Sequence, residues 1–396
     1  MSETSTIGTN LKRIRHERGM SQEGLAEVAG LSRDTIAKLE QGRRRGERTT
    51  TLMKLARALD VEITELTGRR ERLGGDRDGA SVLAVRDVLL APSLLPGLGG
   101  LDADDSGEAT PPRELGAAIR RCWDLYWAGD FGTLTAVLPG LIAEARLSRR
   151  TLGATVAVSL AQAYQLASCL LVHFGRLDLA AVGAERAVTA AAEGDDARQW
   201  ATMHGTYAWV LLHQARLEES ERVAMAAAAQ IEPSFSAPET HLAAWGNLLM
   251  TALAPAVAAG KDPAGYIDMA AAAARRIGHR VDAYQTAFGP ASVRMQAVHA
   301  WATLKQPGRA LEEARGIRPG HLRGISYSRH LLDVAQAHVD ARQPRAAETR
   351  LAEARATSRI WFRHQAIARS LVAEVREITT RPTPTIRALA TEVGLD

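Results

Sequence analysis

A turn signature recurs five times between residues 175 and 347. Gly175-Arg176-Leu177-Asp178-Leu179-Ala180 and Ala215-Arg216-Leu217-Glu218-Glu219-Ser220 are clear copies. Gly260-Lys261-Asp262-Pro263, Lys305-Gln306-Pro307-Gly308-Arg309-Ala310 and Arg342-Gln343-Pro344-Arg345-Ala346-Ala347 are weaker ones. Their starts are 40, 45, 45 and 37 residues apart. Between them alanine dominates, β-branched runs are scarce and apolar residues keep helical spacing. A period of this size marks stacked helical hairpins, each of which must pack on its neighbours to bury its apolar face. From residue 113 onward the expectation is therefore all-α.

Two units carry more detail. Before Gly175 stand Tyr164, Ala167, Ser168 and Leu171; after it stand Ala180, Ala184 and Ala187. The next unit has Tyr207, Ala208 and Leu211, then Ser220, Ala224 and Ala227. Both resemble tetratricopeptide repeats, whose second helix packs closely through small residues. Later units match less well, and the spacing exceeds that family's period of about 34. The expectation is a degenerate tetratricopeptide-like α-solenoid of about six hairpins over 113–396, against the alternative of a generic all-α bundle. The resemblance implies that the first helix of each hairpin lines a concave surface. Gln162, Gln165, Cys169 and His173 then face it from one unit, Thr202, Trp209 and His213 from the next, and Asn247 from a third. An apolar wall with a few amides and a tryptophan suits a small molecule or peptide, so Gln162, Gln165, Trp209, His213 and Asn247 are the candidate ligand contacts. All 18 aromatic residues lie beyond residue 112. Trp123, Tyr164 and Tyr207 fit packing positions.

The N-terminal part has a different pattern. In the run from Ser21 to Gly42, Ser21 is an N-cap, and Leu25, Ala26 and Val28 are expected inward. Gly30 ends the first helix in the left-handed conformation, and Leu31 plugs the core. Ser32 is the next N-cap, with Ile36 and Leu39 inward and Arg33, Asp34, Thr35 and Lys38 outward. A helix from Asn10 precedes the pair. Another runs from about Thr50 to Leu59, with Leu52, Leu55, Ala56 and Leu59 inward, and Asp60–Leu66 supplies a short fifth. Two short helices joined by such a turn place the second in the DNA major groove.

Together these positions resemble the lambda-repressor-like, or XRE-type, five-helix DNA-binding domain over residues 1–70. The resemblance puts base reading on Arg33, Asp34 and Lys38, with Ser32 and Thr35 beside them. It puts phosphate contacts on Gln22 and on Arg43, Arg44 and Arg45. Asp34 departs from the neutral amide often found there. It either accepts from a cytosine amino group or pairs with Lys38 at i+4. Charge agrees with this assignment: residues 1–75 hold 15 basic and 11 acidic residues, and the remainder is balanced at 34 of each. The whole net charge of +4 thus sits in the head, where DNA binding should weaken steeply with salt.

Residues 71–112 read as a linker, rich in glycine and ending on Pro111-Pro112. Within it, 81–90 is apolar enough for a short helix that docks on the C-terminal domain, a symmetry mate or the head; docking within the dimer is the expectation. No apolar run approaches the ~20 residues of a membrane span, and the N-terminus lacks an apolar signal region. Cys122 and Cys169 are expected as buried free thiols of a reducing cytoplasm. Five lysines against 44 arginines, with abundant alanine, suggest a GC-rich genome such as an actinobacterial one. The chain carries no glycine-rich phosphate loop, no Gly-x-Ser-x-Gly, no Cys-x-x-Cys and no His-Glu-x-x-His. No catalysis, cofactor or metal is expected.

The combined expectation is a cytoplasmic, homodimeric transcriptional regulator that binds a double-stranded operator. A small molecule or peptide in the repeat domain would modulate that binding, as the resemblance implies for relatives with this layout. A DNA-tethered scaffold that recruits a partner protein is the alternative. A repressor whose C-terminal domain only dimerises fits less well, because some 280 residues of repeats exceed what dimerisation needs.

Overall fold

The computed structural model describes residues 7–41, 49–61, 65–66, 82–95 and 108–395. The head contributes α1 (Ile7–Glu17), α2 (Gln22–Ala29), α3 (Arg33–Glu40) and α4 (Thr49–Leu59). Leu11, Leu25, Ile36, Leu39, Leu55, Leu59 and Leu66 centre its aliphatic core. The caps follow the sequence: Ser21 Oγ accepts from the Gly24 N–H at 3.0 Å, Ser32 Oγ accepts from the Thr35 N–H at 3.2 Å, and Gly30 is left-handed at φ 61°. Val28 is a correction, being 63% exposed while Ala29 is buried. Ala29 lies one turn from Leu25, so it shares that residue's face and Val28 turns aside. Of the expected fifth helix, Glu65 and Leu66 are helical and residues 62–64 lie outside the described residues.

One polar network ties the head together. Arg15 and Glu40, 7% and 3% exposed in their side chains, pair at 2.6 Å, with a second bond from Arg15 Nη2 at 2.9 Å. Arg15 Nη1 also donates to the Met20 carbonyl at 2.7 Å, and Gln22 Nε2 donates to Glu40 Oε2 at 2.8 Å. Three helices therefore meet at one carboxylate. Burial pushes the Glu40 carboxyl up. The hydrogen bonds from Arg15 and Gln22 outweigh it and hold the group below its ordinary value.

After α5 (Val82–Leu89) come the paired helices of the body. They are α6 (Pro112–Ala128) with α7 (Phe131–Leu152), α8 (Ala157–His173) with α9 (Leu177–Ala192), and α10 (Ala197–His213) with α11 (Leu217–Gln230). Next are α12 (Glu239–Ala258) with α13 (Ala264–Ile277), α14 (Pro290–Thr303) with α15 (Pro307–Ala314), and α16 (Gly324–Asp340) with α17 (Pro344–Thr357). Three helices finish the chain: α18 (Arg359–Arg363), α19 (Ala366–Ile378) and α20 (Pro384–Glu392).

The recurring signature is a recurring backbone turn. Gly175, Ala215, Gly260, Lys305 and Arg342 all adopt positive φ, from 58° to 84°. The next N–H reaches back to the preceding helix each time, as in Arg176 N to Leu171 O and Arg216 N to Leu211 O, both 2.9 Å. This is the bonding of a left-handed helix stop. Alanine, lysine and arginine pay about 1–3 kcal/mol to sit there, so packing on both sides must impose the geometry. Gly129, at φ 76°, makes the same turn between α6 and α7. Small residues then let the pairs close: Ala180, Ala184, Ala187, Ser220 and Ala224 have no exposed surface, and Ser220 Oγ donates to the Ala208 carbonyl at 2.7 Å.

Three features differ from the sequence expectations. The apolar linker helix α5 packs on the body of its own chain: Val85 and Leu89 join the body's core, and Arg146 donates to the Val88 carbonyl. A β-hairpin, β1 (Val281–Ala283) with β2 (Thr286–Phe288), interrupts the helices. Its turn residues Tyr284 and Gln285 both have positive φ, 50° and 61°, as a two-residue type I′ loop requires. Finally, the concave face is closed. A Cβ on Gly324 would lie 2.7 Å from the Trp127 carbonyl, and one on Gly129 2.2 Å from Ser358 Oγ. The last hairpins thus pack directly on the first, and the expected groove becomes a cavity. Windows within Phe131–His173 and Glu239–Ala258 are apolar enough to cross a membrane, but 78% and 67% of them is buried in this core.

Removing Glu40 strands the Arg15 charge, so Glu40→Ala should destabilise the head by about 3–5 kcal/mol in denaturant titrations. Because the folded carboxyl titrates below its ordinary value of 4.5, its contribution is full above that pH. It is lost as pH falls through the lower folded value. The variant should therefore show a shallower acid dependence than wild type; parallel acid profiles would contradict this.

Candidate recognition helix and ligand cavity

The outward face of α3 carries the candidate base-reading residues. Arg33 pairs with Glu23 of α2 at 2.5 Å, both side chains more than 60% exposed. Lys38 pairs with Asp34 at 2.6 Å, also exposed, so of the two readings of Asp34 the pairing is the one present without DNA. Exposed pairs of this kind contribute about 0–1 kcal/mol, so an incoming base edge or phosphate can displace either partner. Ser32 and Thr35 share a hydroxyl hydrogen bond at 2.9 Å at the start of the helix. Gln22 stands at the start of α2 with one amide hydrogen committed to Glu40. Arg43, Arg44 and Arg45 lie outside the described residues.

The second site is a partly open cavity of about 510 Å³, lined mostly by the body. The first helix of every hairpin contributes to its wall: Trp123 and Trp127 from α6, Gln165 and His173 from α8, Trp209 and His213 from α10, Asn247 from α12, Gln296 and His299 from α14, and Arg329 and Asp333 from α16. Trp361 from α18 and Phe288 from β2 complete it. Four of the five candidate ligand contacts, Gln165, Trp209, His213 and Asn247, thus lie on one wall, along with Cys169, His173 and Thr202. Gln162 does not; its amide donates sideways to Gln199 Oε1 at 2.8 Å.

Charge inside the cavity is small and internally matched. Arg329 and Asp333 are its only lysine, arginine, aspartate or glutamate residues among those described. Asp333 accepts from Arg329 Nη2 at 3.1 Å and lies 3.2 Å from His299 Nδ1. Burial alone would raise the Asp333 carboxyl, but the Arg329 charge, with His299, holds it well below the usual carboxylate range. Burial lowers His173 to about 3 and His213 to about 4, so both rings are neutral at physiological pH. His173 accordingly behaves as an aromatic, stacked on Phe131 at 5.0 Å and bonded to the Tyr126 hydroxyl at 3.1 Å. Burial also pushes the Cys169 thiol up to about 12; both cysteines are free and buried.

One wall residue comes from the head. Met53 on α4 is 5% exposed, yet it is absent from the head's own core and lines the body's cavity. Arg57, one turn further and on the same face, donates to the Ala215 carbonyl at 2.8 Å. Ala215 is the left-handed residue that follows α10. The head therefore rests where α10 ends, with one side chain on the turn and another in the cavity wall.

Several of these residues were missed in the sequence. Arg15 and Asp333 look like ordinary helix-surface charges until the fold buries them, and Arg329 is a partly exposed arginine until it pairs with Asp333; the i, i+4 spacing of Arg329 and Asp333 is the local clue. Met53 resembles any core methionine of the head.

A Cro/C1-type HTH DNA-binding domain model matches residues 10–70. The uncharacterized HTH-type transcriptional regulator y4dJ of Sinorhizobium fredii is 40% identical over 60 residues, covering 15% of this chain and 77% of that protein. Two solved structures superpose loosely. BtubC (BKLC) from P. vanneervenii has 14% identity and a TM-score of 0.38 over 63% of this chain and 91% of its own. Bacillus thuringiensis PlcR, solved with the peptide PapR7 and DNA, has 13% identity and a TM-score of 0.29 over 69% and 96%. With four described head helices in the expected order and a relative matched over most of its length, this chain belongs to the Cro/C1-type helix-turn-helix family of DNA-binding transcriptional regulators.

Proposed function

We propose that this regulator is effector-responsive: a molecule held in the body's cavity changes how the head engages a double-stranded operator. The observation that carries the reading is Met53, a residue of the DNA-binding head that forms part of the cavity wall. Occupancy of the cavity and the position of the head then compete for, or share, the same side chain. The magnitudes agree. Burying one methionine contributes up to about 1.5–3 kcal/mol, and one hydrogen bond about 0.5–1.5 kcal/mol. Couplings between allosteric sites are typically 1–3 kcal/mol. The seam is thus strong enough to hold the head and weak enough for a ligand to release it. The ligand acts only through its affinity difference between the two head positions.

In this reading Arg33, Asp34 and Lys38 read bases, with Ser32 and Thr35 fixing the start of the helix. Gln22 and Arg43 to Arg45 hold phosphates. The protein works in the cytoplasm as a homodimer on half-sites about 34 Å apart, or a multiple of that. Sedimentation of the operator complex tests the stoichiometry.

Two variants test the rest, using an operator selected from random DNA and fluorescence anisotropy. Arg33→Ala should cost about 1–3 kcal/mol and relax preference at one base pair; wild-type affinity and preference would remove α3 from the groove. Met53→Ala with Arg57→Ala should change the intact chain's operator affinity by roughly 5–150-fold. An affinity within twofold of wild type would show that the seam does not govern DNA binding.

A further inference from the structure

The cavity's chemistry narrows what it can hold. Four of the chain's seven tryptophans, Trp123, Trp127, Trp209 and Trp361, stand in its wall. Trp127 and Trp209 are only partly buried, and a flat ring with an open face favours a flat aromatic partner. Three buried polar atoms in that wall have no partner within the protein: the indole nitrogens of Trp123 and Trp361 and Oε1 of Gln165. These residues are 4%, 2% and 4% exposed. Buried polar groups are normally hydrogen-bonded, so these two donors and one acceptor are the groups that a guest would satisfy, their side chains turning towards it. The ionic groups already have partners: Arg329 and Asp333 neutralise each other, and His299 also takes part in the pair.

We infer that the effector is an uncharged, flat aromatic molecule carrying hydrogen-bond acceptors for the two indoles and a donor for Gln165. The inference rests on the cavity being the effector site. A nucleotide or phosphorylated ligand would bring several charges that no uncommitted cation meets. A free peptide would bring two terminal charges as well as a long chain. The volume of about 510 Å³ falls in the range of about 300–1,000 Å³ that encloses a drug-sized molecule.

Nile red, an uncharged fused-ring carbonyl compound that offers acceptors to the indoles though no donor to Gln165, is a suitable probe for the full-length protein. ATP and an uncapped heptapeptide serve as charged comparisons, and tryptophan quenching and thermal shift are the readouts. The expected result is saturable one-to-one binding of Nile red with quenching, and no shift with ATP or peptide. Ala254→Trp, which fills the cavity, should abolish binding. Trp123→Phe keeps the ring but loses the donor, so it should weaken binding roughly threefold to tenfold and remains informative if the larger substitution does not fold. Stabilisation by ATP or peptide without Nile red binding would overturn the ligand class and leave the sensor reading standing. Nile red binding undiminished in both variants would also overturn it, by placing the dye elsewhere. If neither the three probes nor an extract of the host's small molecules shifts a protein that still binds its operator, the sensor reading itself fails.

Discussion

The closure of the repeat domain on itself is the constraint from which the cavity follows. A chain of helical hairpins normally curls into an open superhelix with two free ends. Here the start of α16 approaches the backbone at the end of α6, which Gly324 permits, and Gly129 leaves room for the Ser358 side chain. Ser358 fills the space beside Gly129 and donates to the Ala128 carbonyl, and Arg323 lies over the Trp127 ring at 5.3 Å. With the ends joined, the concave faces of all the first helices look inward at one another. Side chains that would have lined a wet groove become the wall of a deep, partly open cavity. Burial in that wall is what neutralises His173 and His213 and leaves Asp333 to take its partners from the protein.

Among the described residues, the head meets this ring through few side chains. Its core is aliphatic and self-contained, and the network centred on Glu40 would hold α1, α2 and α3 together wherever the head sat. The contact with the body runs through one face of α4, where Met53 and Arg57 lie a turn apart. A thin seam between two well-packed units can shift as a rigid body, a common way for a ligand to move a distant surface. The weak exposed pairs on α3 fit the same logic, since they keep Arg33 and Lys38 extended but available.

Much of this was legible in the chain. The N-caps at Ser21 and Ser32, the stop at Gly30 and the inward leucines of α3 and α4 follow from local rules that tertiary packing did not override. The five hairpin turns were visible through their spacing even where lysine or arginine replaced glycine, because the turn repeats as a unit. What remained hidden depends on contacts distant in sequence. Closure rests on residues nearly two hundred apart, such as Gly129 and Gly324. The β-hairpin needed two non-glycine residues in left-handed conformations, which no turn rule would assign to Tyr284-Gln285. Docking of α5 on its own body was decided by Val85 and Leu89, which would have served a dimer interface equally well. Gln162 and Gln165 lie three apart on one helix and both donate to α10, to Gln199 and Thr206, yet only Gln165 borders the cavity.

The central claim is that the state of the cavity reaches the head through α4. Amide hydrogen exchange in the intact chain tests this most directly, comparing wild type with the cavity filled by Ala254→Trp. The account predicts altered protection across Thr49–Leu59, with Ile7–Glu17 unchanged as an internal standard for a head that stays folded. Identical exchange in α4 with the cavity open and filled would contradict it.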